Sequence, residues 1–299
     1  MSALASIRSL ARRWLAACGK NILLPAATLG RRRNFPETDT PVHILVSSKT
    51  APMCVLAAQS LEWFSRRRWR LFVHDDGSVR PDQRRFIEDR LPGCRFVPRP
   101  EADARAEEGL AACPASRRLR ARHNYLLKIL DPMLISGAGP WLLMDADVLF
   151  YKSAEELAAW ATNPDTFFYM VDTKESYAHP RSSLIARLGL APAERLNAGL
   201  CSLPAGTLDP EFCERVLSTL EEACPHPMFL DQTLLAVAAG RDPSRPLPAT
   251  YEITWAMWRS AGAICRHYVG AFKEDLLYIE GPPALLVKMT LPALRSRLN

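Results

Sequence analysis

Past Pro41 the chain alternates short apolar runs with stretches of helical periodicity, and this alternation restricts the fold more than any other feature. Strands covered on both faces read as continuous apolar runs, and a helix after each returns the chain so that the next strand lies parallel. Residues 42–47 are expected as the first strand, 52–64 as a helix, and 69–73 as a second strand that stops at His74-Asp75-Asp76-Gly77-Ser78. A short third run, 95–97, closes with Pro98. Residues 125–135 read as a helix, 141–144 as a strand ending in Asp145-Ala146-Asp147, 167–171 as another strand and 211–223 as another helix. The expected class is α/β, a mostly parallel sheet flanked by helices.

In open sheets of this kind ligands bind at the carboxyl ends of the strands, where loops and helix N-termini converge. Asp75-Asp76 and Asp145-x-Asp147 both fall at such ends, so the two acidic clusters are expected to face one crevice despite their separation in sequence.

Charge narrows the classes of partner. The formal charge is +6, and five of those charges fall in residues 1–40, where seven basic residues meet only Glu37 and Asp39. The body beyond is nearly neutral and has no basic stripe interleaved with aromatics, which argues against nucleic acid. No run approaches the ~20 apolar residues of a bilayer span, and Arg12 and Arg13 stand where the apolar part of a secretory leader would begin. Leu4, Ile7, Leu10, Trp14, Leu15 and Cys18 recur at helical spacing with arginines between them. Residues 1–40 therefore read as a basic amphipathic extension ahead of a domain over 41–299. Two placements stand for that helix: on an anionic membrane surface through residues 1–35, each basic residue adding on the order of 1 kcal/mol, or packed on the domain. Eight cysteines with no CxxC pair fit reduced thiols and a cytoplasmic protein, peripheral on a membrane if the helix docks there.

Asp145 and Asp147 follow an apolar run too hydrophobic for a surface strand, and an unanswered buried carboxylate costs several kcal/mol. A divalent cation answers both charges, and hard carboxylate oxygens suit Mn²⁺ or Mg²⁺, which neutralise a diphosphate leaving group. A cap on the following helix near Ser153, or a buried arginine, explains the pair equally well.

Four further motifs occur with this one. Lys128 lies in Tyr125-Leu126-Leu127-Lys128-Ile129-Leu130, ahead of the strand, and after Asp145-x-Asp147 come Asn197-Ala198-Gly199, Leu230-Asp231-Gln232 and His267-x-x-Gly270-x-x-Lys273. In this order they resemble the retaining glycosyltransferases of the glycogenin and bacterial lipopolysaccharide galactosyltransferase group, over roughly residues 42–275. The resemblance implies a GT-A (Rossmann-like) fold and transfer of a sugar from a nucleotide diphosphate donor, UDP by default, to an acceptor hydroxyl in a glycan, lipid or protein. It implies that Asp145, Asp147 and His267 hold the metal and Lys273 the diphosphate, with Gly270 letting the backbone approach. Asn197 and Gly199 would bind the sugar, Asp231 its hydroxyls, and Gln232 would lie near the anomeric carbon. Lys128 would stabilise charge on the donor. Asp75 or Asp76 at the second strand's end suits the base or ribose, although an Asp-Gly turn explains them as well; Asn197 also reads as a turn before a strand at 200–203, and Asp231 as a helix cap.

The match departs from the family at Glu274-Asp275, where Pro-Trp is usual, and at Glu252 after Tyr251, where Asn is common. A strand followed by Asp-x-Asp also opens the haloacid dehalogenase phosphatases, with the first Asp as nucleophile. Such an enzyme needs a later Asp-Asp or Gly-Asp-x-x-x-Asp motif, and residues 148–299 contain neither. A non-catalytic interaction module on the same fold is the third reading. On the transferase reading, removal of residues 1–35 is expected to lower membrane binding and leave donor hydrolysis intact.

Overall fold

The computed structural model describes residues 3–28, 34–222, 224–241, 243–271 and 273–298, with side chains described between residues 9 and 288. In chain order the strands are β1 (Glu37–Val46), β2 (Arg68–Asp75), β3 (Arg95–Val97), β4 (Trp141–Met144), β5 (Val148–Phe150), β6 (Phe167–Val171), β7 (Leu196–Leu203), β8 (Ser244–Pro246), β9 (Tyr251–Thr254) and β10 (Cys265–Tyr268). Seven of them form one sheet in the order β3-β2-β1-β4-β7-β6-β8. Within it β7 runs antiparallel to β4 and β6, and every other pairing is parallel. The other three form a small sheet, β5-β10-β9.

β4 explains why the large sheet is covered on both faces. All four of its residues are buried. Their alternation sends Leu142 and Met144 into one core and Trp141 and Leu143 into the other. The first core is roofed by helix Ala51–Ser65, which Pro52 starts and Arg66, in the left-handed region at φ 51°, ends. The second lies beneath Leu127–Ser136, Pro210–Glu221 and Leu230–Arg241. Asp209 caps Pro210–Glu221 by accepting from Phe212 N over 2.7 Å.

Several elements begin earlier than their apolar runs suggest. β1 starts at Glu37 because its outer residues pair with β2 at Arg68 and Trp69. The helix expected from residue 125 opens as a 3₁₀ turn, Asn124–Leu126. Asn197 lies inside β7, not in a turn before it, because β7 follows β6 back as far as Leu196. Asp231 likewise lies within the first turn of its helix. The small sheet has no counterpart in the sequence pattern; its strands are three or four residues each, too short for a periodic signal.

Helix Ala3–Cys18 runs on through a π-helical turn, Gly19–Leu23, into Leu24–Ala27. It packs on the C-terminal helix, Lys273–Leu298, with Arg12 Nε 2.9 Å from Asp275 Oδ2 and Lys20 Nζ 3.0 Å from Glu274 Oε1. Gly19 permits the approach, since a Cβ there would collide with the Tyr278 carbonyl. Ala16, Gly19, Leu24 and Ala27 are buried, whereas Leu10, Trp14, Leu15 and Ile22 face outward at 48–71% exposure. Of the described large apolar residues, Leu24 packs inward, while Leu10, Trp14, Leu15 and Ile22 do not. Leu4, Ile7 and Arg8 lie outside the described side chains, and Arg31, Arg32 and Arg33 outside the described residues. Among the described residues no helix is long and apolar enough to cross a membrane. All eight cysteines are free thiols.

Candidate active site

The chain crosses from the large sheet to the small one at Asp145-Ala146-Asp147, between β4 and β5. Both sheets fix this crossing. Asp145 N donates to Gly199 O in β7 over 2.8 Å, and Tyr268 N at the end of β10 donates to Asp147 O over 3.0 Å. Because β5 and β10 pair with Val148 opposite His267, Asp147 is carried to that imidazole.

His267 Nε2 lies 3.3 Å from Asp147 Oδ1 and 3.7 Å from Asp145 Oδ2. One ligand atom from each of the three residues falls within 4.8 Å of the others. Neighbouring ligands of an ion bound at ~2.1 Å sit roughly 3 Å apart, so small adjustments bring the three around a single Mn²⁺ or Mg²⁺. The imidazole is set for this. Asn197 Nδ2 donates to Asp172 Oδ2 over 3.0 Å, and Asn197 Oδ1 accepts from Gly199 N over 2.9 Å, which fixes the amide's orientation. Asn197 Oδ1 lies 2.9 Å from His267 Nδ1, so Nδ1 carries the proton and donates. With Nδ1 engaged, Nε2 is the nitrogen aimed at the carboxylates and the one that would face an ion, as in metal-binding histidines whose other nitrogen is held. Gly199 is required beneath the ring, because a Cβ there would collide with His267 Nδ1 and Cε1.

Two lysines answer the acidic pair, where the sequence left a helix cap or a buried arginine open. Lys128 Nζ donates to Asp145 Oδ1 at 3.1 Å and meets Asp231 Oδ2 at 3.0 Å. Burial works against this ammonium, but Asp145 and then Asp231 outweigh it and hold its pKa above the usual lysine value. Lys128 is 9% exposed, unlike a solvated helix lysine. Lys273 Nζ donates to Asp147 Oδ2 over 2.6 Å, and the attraction of Asp147 raises its pKa. Burial pushes the Asp147 carboxyl up, while the His267 hydrogen bond and Lys273 pull it down more strongly, leaving it well below the usual carboxylate range. Three carboxylates, Asp145, Asp147 and Asp231, thus meet two lysines, leaving an excess of negative charge that a bound cation would answer.

Gln232 is buried, its Oε1 accepting from Ala198 N over 3.2 Å and its Nε2 donating to Ser176 O over 2.8 Å. It ties β7 to the segment after β6. Gly270 has φ +89°, a region that favours glycine, and the Trp255 indole occupies the space a side chain there would take. The cluster is thus Lys128, Asp145, Asp147, Asn197, Gly199, Asp231, His267 and Lys273, with Gln232 and Gly270 at its margins. Asp76 stands apart: its exposed Oδ1 accepts from Ser78 N at 2.9 Å and Ser78 Oγ at 2.6 Å, and Asp75 accepts from Gly77 N at 2.8 Å. These are turn hydrogen bonds. β2 and β4 nonetheless flank β1 in parallel, so Asp76 and the cluster open on the same edge of the sheet. Asp172, at the end of β6, escaped the sequence reading although it occupies the same strand-end position that drew attention to Asp75 and Asp145.

No protein-family profile matches the chain, and no curated protein does. Solved structures do. Mouse xyloside xylosyltransferase 1 in its apo form superposes with a TM-score of 0.51 at 13% identity, covering 77% of this chain and 97% of that one. The galactosyltransferase LgtC in complex with donor and acceptor sugar analogs gives 0.53 at 15% identity, covering 84% and 96%. The apo bifunctional glycosyltransferase WbbM gives 0.55 at 13% identity over 88% of this chain and only 53% of its own length. Identities this low speak to the fold alone: the chain has the GT-A fold, and these structures that share it are glycosyltransferases.

Proposed function

We propose that this chain is a metal-dependent, retaining glycosyltransferase that moves a sugar from a UDP-linked donor to a hydroxyl of a cell-envelope or lipid-linked glycan on the cytoplasmic face of a membrane. We take residues 1–40 as an extension and 41–299 as the GT-A domain. The observation that carries the reading is the convergence of Asp145, Asp147 and His267, from the crossing between sheets and from β10, with Lys128 and Lys273 on either side.

When bound, Mn²⁺ or Mg²⁺ supplies positive charge to the diphosphate as it leaves. Lys273 is half-exposed beside Asp147, so its ammonium would be in reach of a diphosphate oxygen if Asp147 held an ion. Lys128 pairs with Asp231 over 3.0 Å and holds its carboxylate in place, which suits Asp231 to accept from sugar hydroxyls. Gln232 holds Ala198 and so the Asn197–Gly199 segment under the histidine. In the transfer the acceptor oxygen bonds to the anomeric carbon, the bond to the diphosphate oxygen breaks with its electron pair, and the hydroxyl proton is released.

The test titrates purified protein with UDP-glucose and UDP-galactose, with and without Mn²⁺, alongside the Asp145→Asn/Asp147→Asn double variant. Metal-dependent binding and slow hydrolysis that vanish in the variant are expected. Hydrolysis of a simple phosphomonoester with no nucleotide-sugar binding would instead establish the phosphatase chemistry and remove this reading.

The membrane part of the proposal is supported by Leu10, Trp14, Leu15 and Ile22, large apolar residues exposed on a basic segment. The Leu10→Ser/Trp14→Ser/Leu15→Ser variant is expected to lose flotation with phosphatidylglycerol vesicles. Full retention would show that this face does not meet lipid.

A further inference from the structure

Beyond the donor site, the chain exposes a second group of large apolar side chains directly after β9. Trp255, Met257 and Trp258 are 62%, 56% and 58% exposed, within four consecutive residues. Isolated exposed apolar residues are ordinary, but two tryptophans and a methionine in one short loop are not.

The loop is held rigidly from below. Arg266, which is fully buried, donates Nη2 to the Ala256 carbonyl and Nη1 to Glu280 Oε2 over 2.8 Å. Glu280 Oε1 in turn accepts from Arg259 N at 3.0 Å and Arg259 Nη1 at 2.7 Å, and Glu252 Oε1 accepts from Ser260 N at 3.0 Å. Ala256 N donates to Thr254 Oγ1 over 3.0 Å. Backbone bracing on this scale fixes a loop whose side chains are left in water, and the ordering cost of binding is thereby already met.

The loop also adjoins the proposed reaction centre. β9 and β10 run parallel with Thr254 opposite Tyr268, so Trp255 leaves the sheet beside the turn that follows His267. Its indole fills the space over Gly270, three residues before Lys273. The apolar surface is therefore continuous with the turn that carries the lysine at Asp147.

We propose that Trp255, Met257 and Trp258 form the acceptor subsite, an aromatic ledge on which the apolar face of an acceptor sugar ring stacks while its hydroxyls remain hydrated. This rests on the glycosyltransferase reading and adds the surface on which the acceptor glycan is held. A pyranose presents C–H groups on one face that suit an indole plane and polar groups at its rim, and rigid tryptophans offer large contact area with little loss of side-chain entropy. A bilayer is a poorer match. Arg259 is tied to Glu280, and Lys152, against the same loop, donates to the Ala261 carbonyl over 2.6 Å. The charge of Arg259 is thus answered by Glu280 within the fold and is not offered to anionic lipid.

The experiment measures transfer from UDP-galactose and UDP-glucose with Mn²⁺ to a panel of p-nitrophenyl mono- and disaccharides, using the full chain and the Trp258→Ala, Met257→Ala and Trp258→Phe variants. Trp258 is chosen because Trp255 also packs on Gly270. In Trp258→Ala the KM for the glycoside is expected to rise about tenfold or more, roughly 1.4 kcal/mol, with a smaller rise in Met257→Ala. The KM for the nucleotide sugar should move less than about twofold, and Trp258→Phe should recover most of the glycoside affinity because it restores a ring face. An unchanged glycoside KM in Trp258→Ala overturns the proposal, as does an equal rise in both KM values, which would place the donor on the ledge. Loss of phosphatidylglycerol vesicle binding without a change in glycoside KM also overturns it, in favour of lipid. If wild-type protein hydrolyses UDP-sugars with Mn²⁺ but accepts no glycoside, the ledge fails alone; if it shows no metal-dependent donor chemistry, the underlying reading fails with it.

Discussion

Asn197 Oδ1 lies 2.9 Å from His267 Nδ1, and the other end of the same amide donates to Asp172 Oδ2 over 3.0 Å. This chain of three side chains decides which nitrogen of His267 faces Asp145 and Asp147. Asn197→Ala removes it, leaving the ring free to rotate or to take the other tautomer. Loss of such an orienting partner typically costs 10–100-fold in metal affinity. Calorimetric titration with Mn²⁺ should show a weakening of about that size, and wild-type affinity in the variant would remove Asn197 from any orienting role.

Gly199→Ala attacks the same ring from below. The added methyl collides with His267 Nδ1 and Cε1, and overpacking of this kind costs roughly 1–3 kcal/mol. Thermal melting should fall modestly while Mn²⁺ binding falls far more, since the ring is the group that yields. A variant with intact metal affinity and a lowered melting temperature would show that the strain is relieved elsewhere.

Much of this site was legible because strand ends and chemical residue types are local signals. The apolar run of β4 marked the sheet's centre, and the two aspartates after it needed an answering charge whatever its source. Asn197 was legible as a polar amide beside a small residue, but not as the partner of His267, because 70 positions separate them and only the register of β7 and β10 joins them. Arg266 and Glu280 were invisible for the same reason: nothing in either neighbourhood announces a fully buried ion pair between a four-residue strand and the C-terminal helix. Glu274 and Asp275, where the match departs from the family, are answered by Lys20 and Arg12.

Lys128→Met should destabilise the metal-free protein strongly. Lys128 Nζ is shared by Asp145 and Asp231, and removing one partner of a buried ion pair costs roughly 3–5 kcal/mol by leaving charge uncompensated. For a chain of this size that corresponds to a fall of order 10 °C in the melting temperature. Mn²⁺ should restore part of it, because an ion can answer Asp145 while leaving Asp231 without its lysine. An unchanged melting temperature without metal would mean that the carboxylates accept protons in place of the ammonium.

Acid sensitivity should appear well above the carboxylate range. Burial pushes His74 down to about 3, and burial followed by the neighbouring His74 holds His43 well below 6.5. Both are neutral in the fold, so as pH falls below about 6.5 the unfolded chain takes up two protons that the folded chain refuses, and stability drops. Glu62 acts oppositely: burial raises it to about 7, so between 7 and 4.5 the fold holds a proton that the unfolded chain releases. From these three groups the net difference between about pH 6.5 and 4.5 is one proton, or roughly 1.4 kcal/mol of stability lost per pH unit. Denaturant melts across that window should show the decline, and in Glu62→Gln it should steepen; a flat profile in both proteins would contradict this assignment.

The N-terminal helix should matter to the donor site through the C-terminal helix. Arg12 and Lys20 hold Asp275 and Glu274, the two residues after Lys273, and Gly19 lies against the Tyr278 backbone. Deleting residues 1–35 therefore uncovers the first turn of the helix that begins with Lys273, and is not the neutral truncation that an independent membrane anchor would allow. The ion pairs alone are worth little, about 0–1 kcal/mol each when part-exposed, so Arg12→Ala should leave the KM for UDP-sugar nearly unchanged. Gly19→Leu, which cannot keep the close approach, should raise that KM several-fold by loosening Lys273, with the Leu10→Ser/Trp14→Ser/Leu15→Ser variant unaffected because those side chains point outward. Steady-state kinetics of the three variants separates the two roles of the helix. A donor KM that responds to the outward triple variant and not to Gly19→Leu would show that the apolar face, and not the packed one, reaches the site.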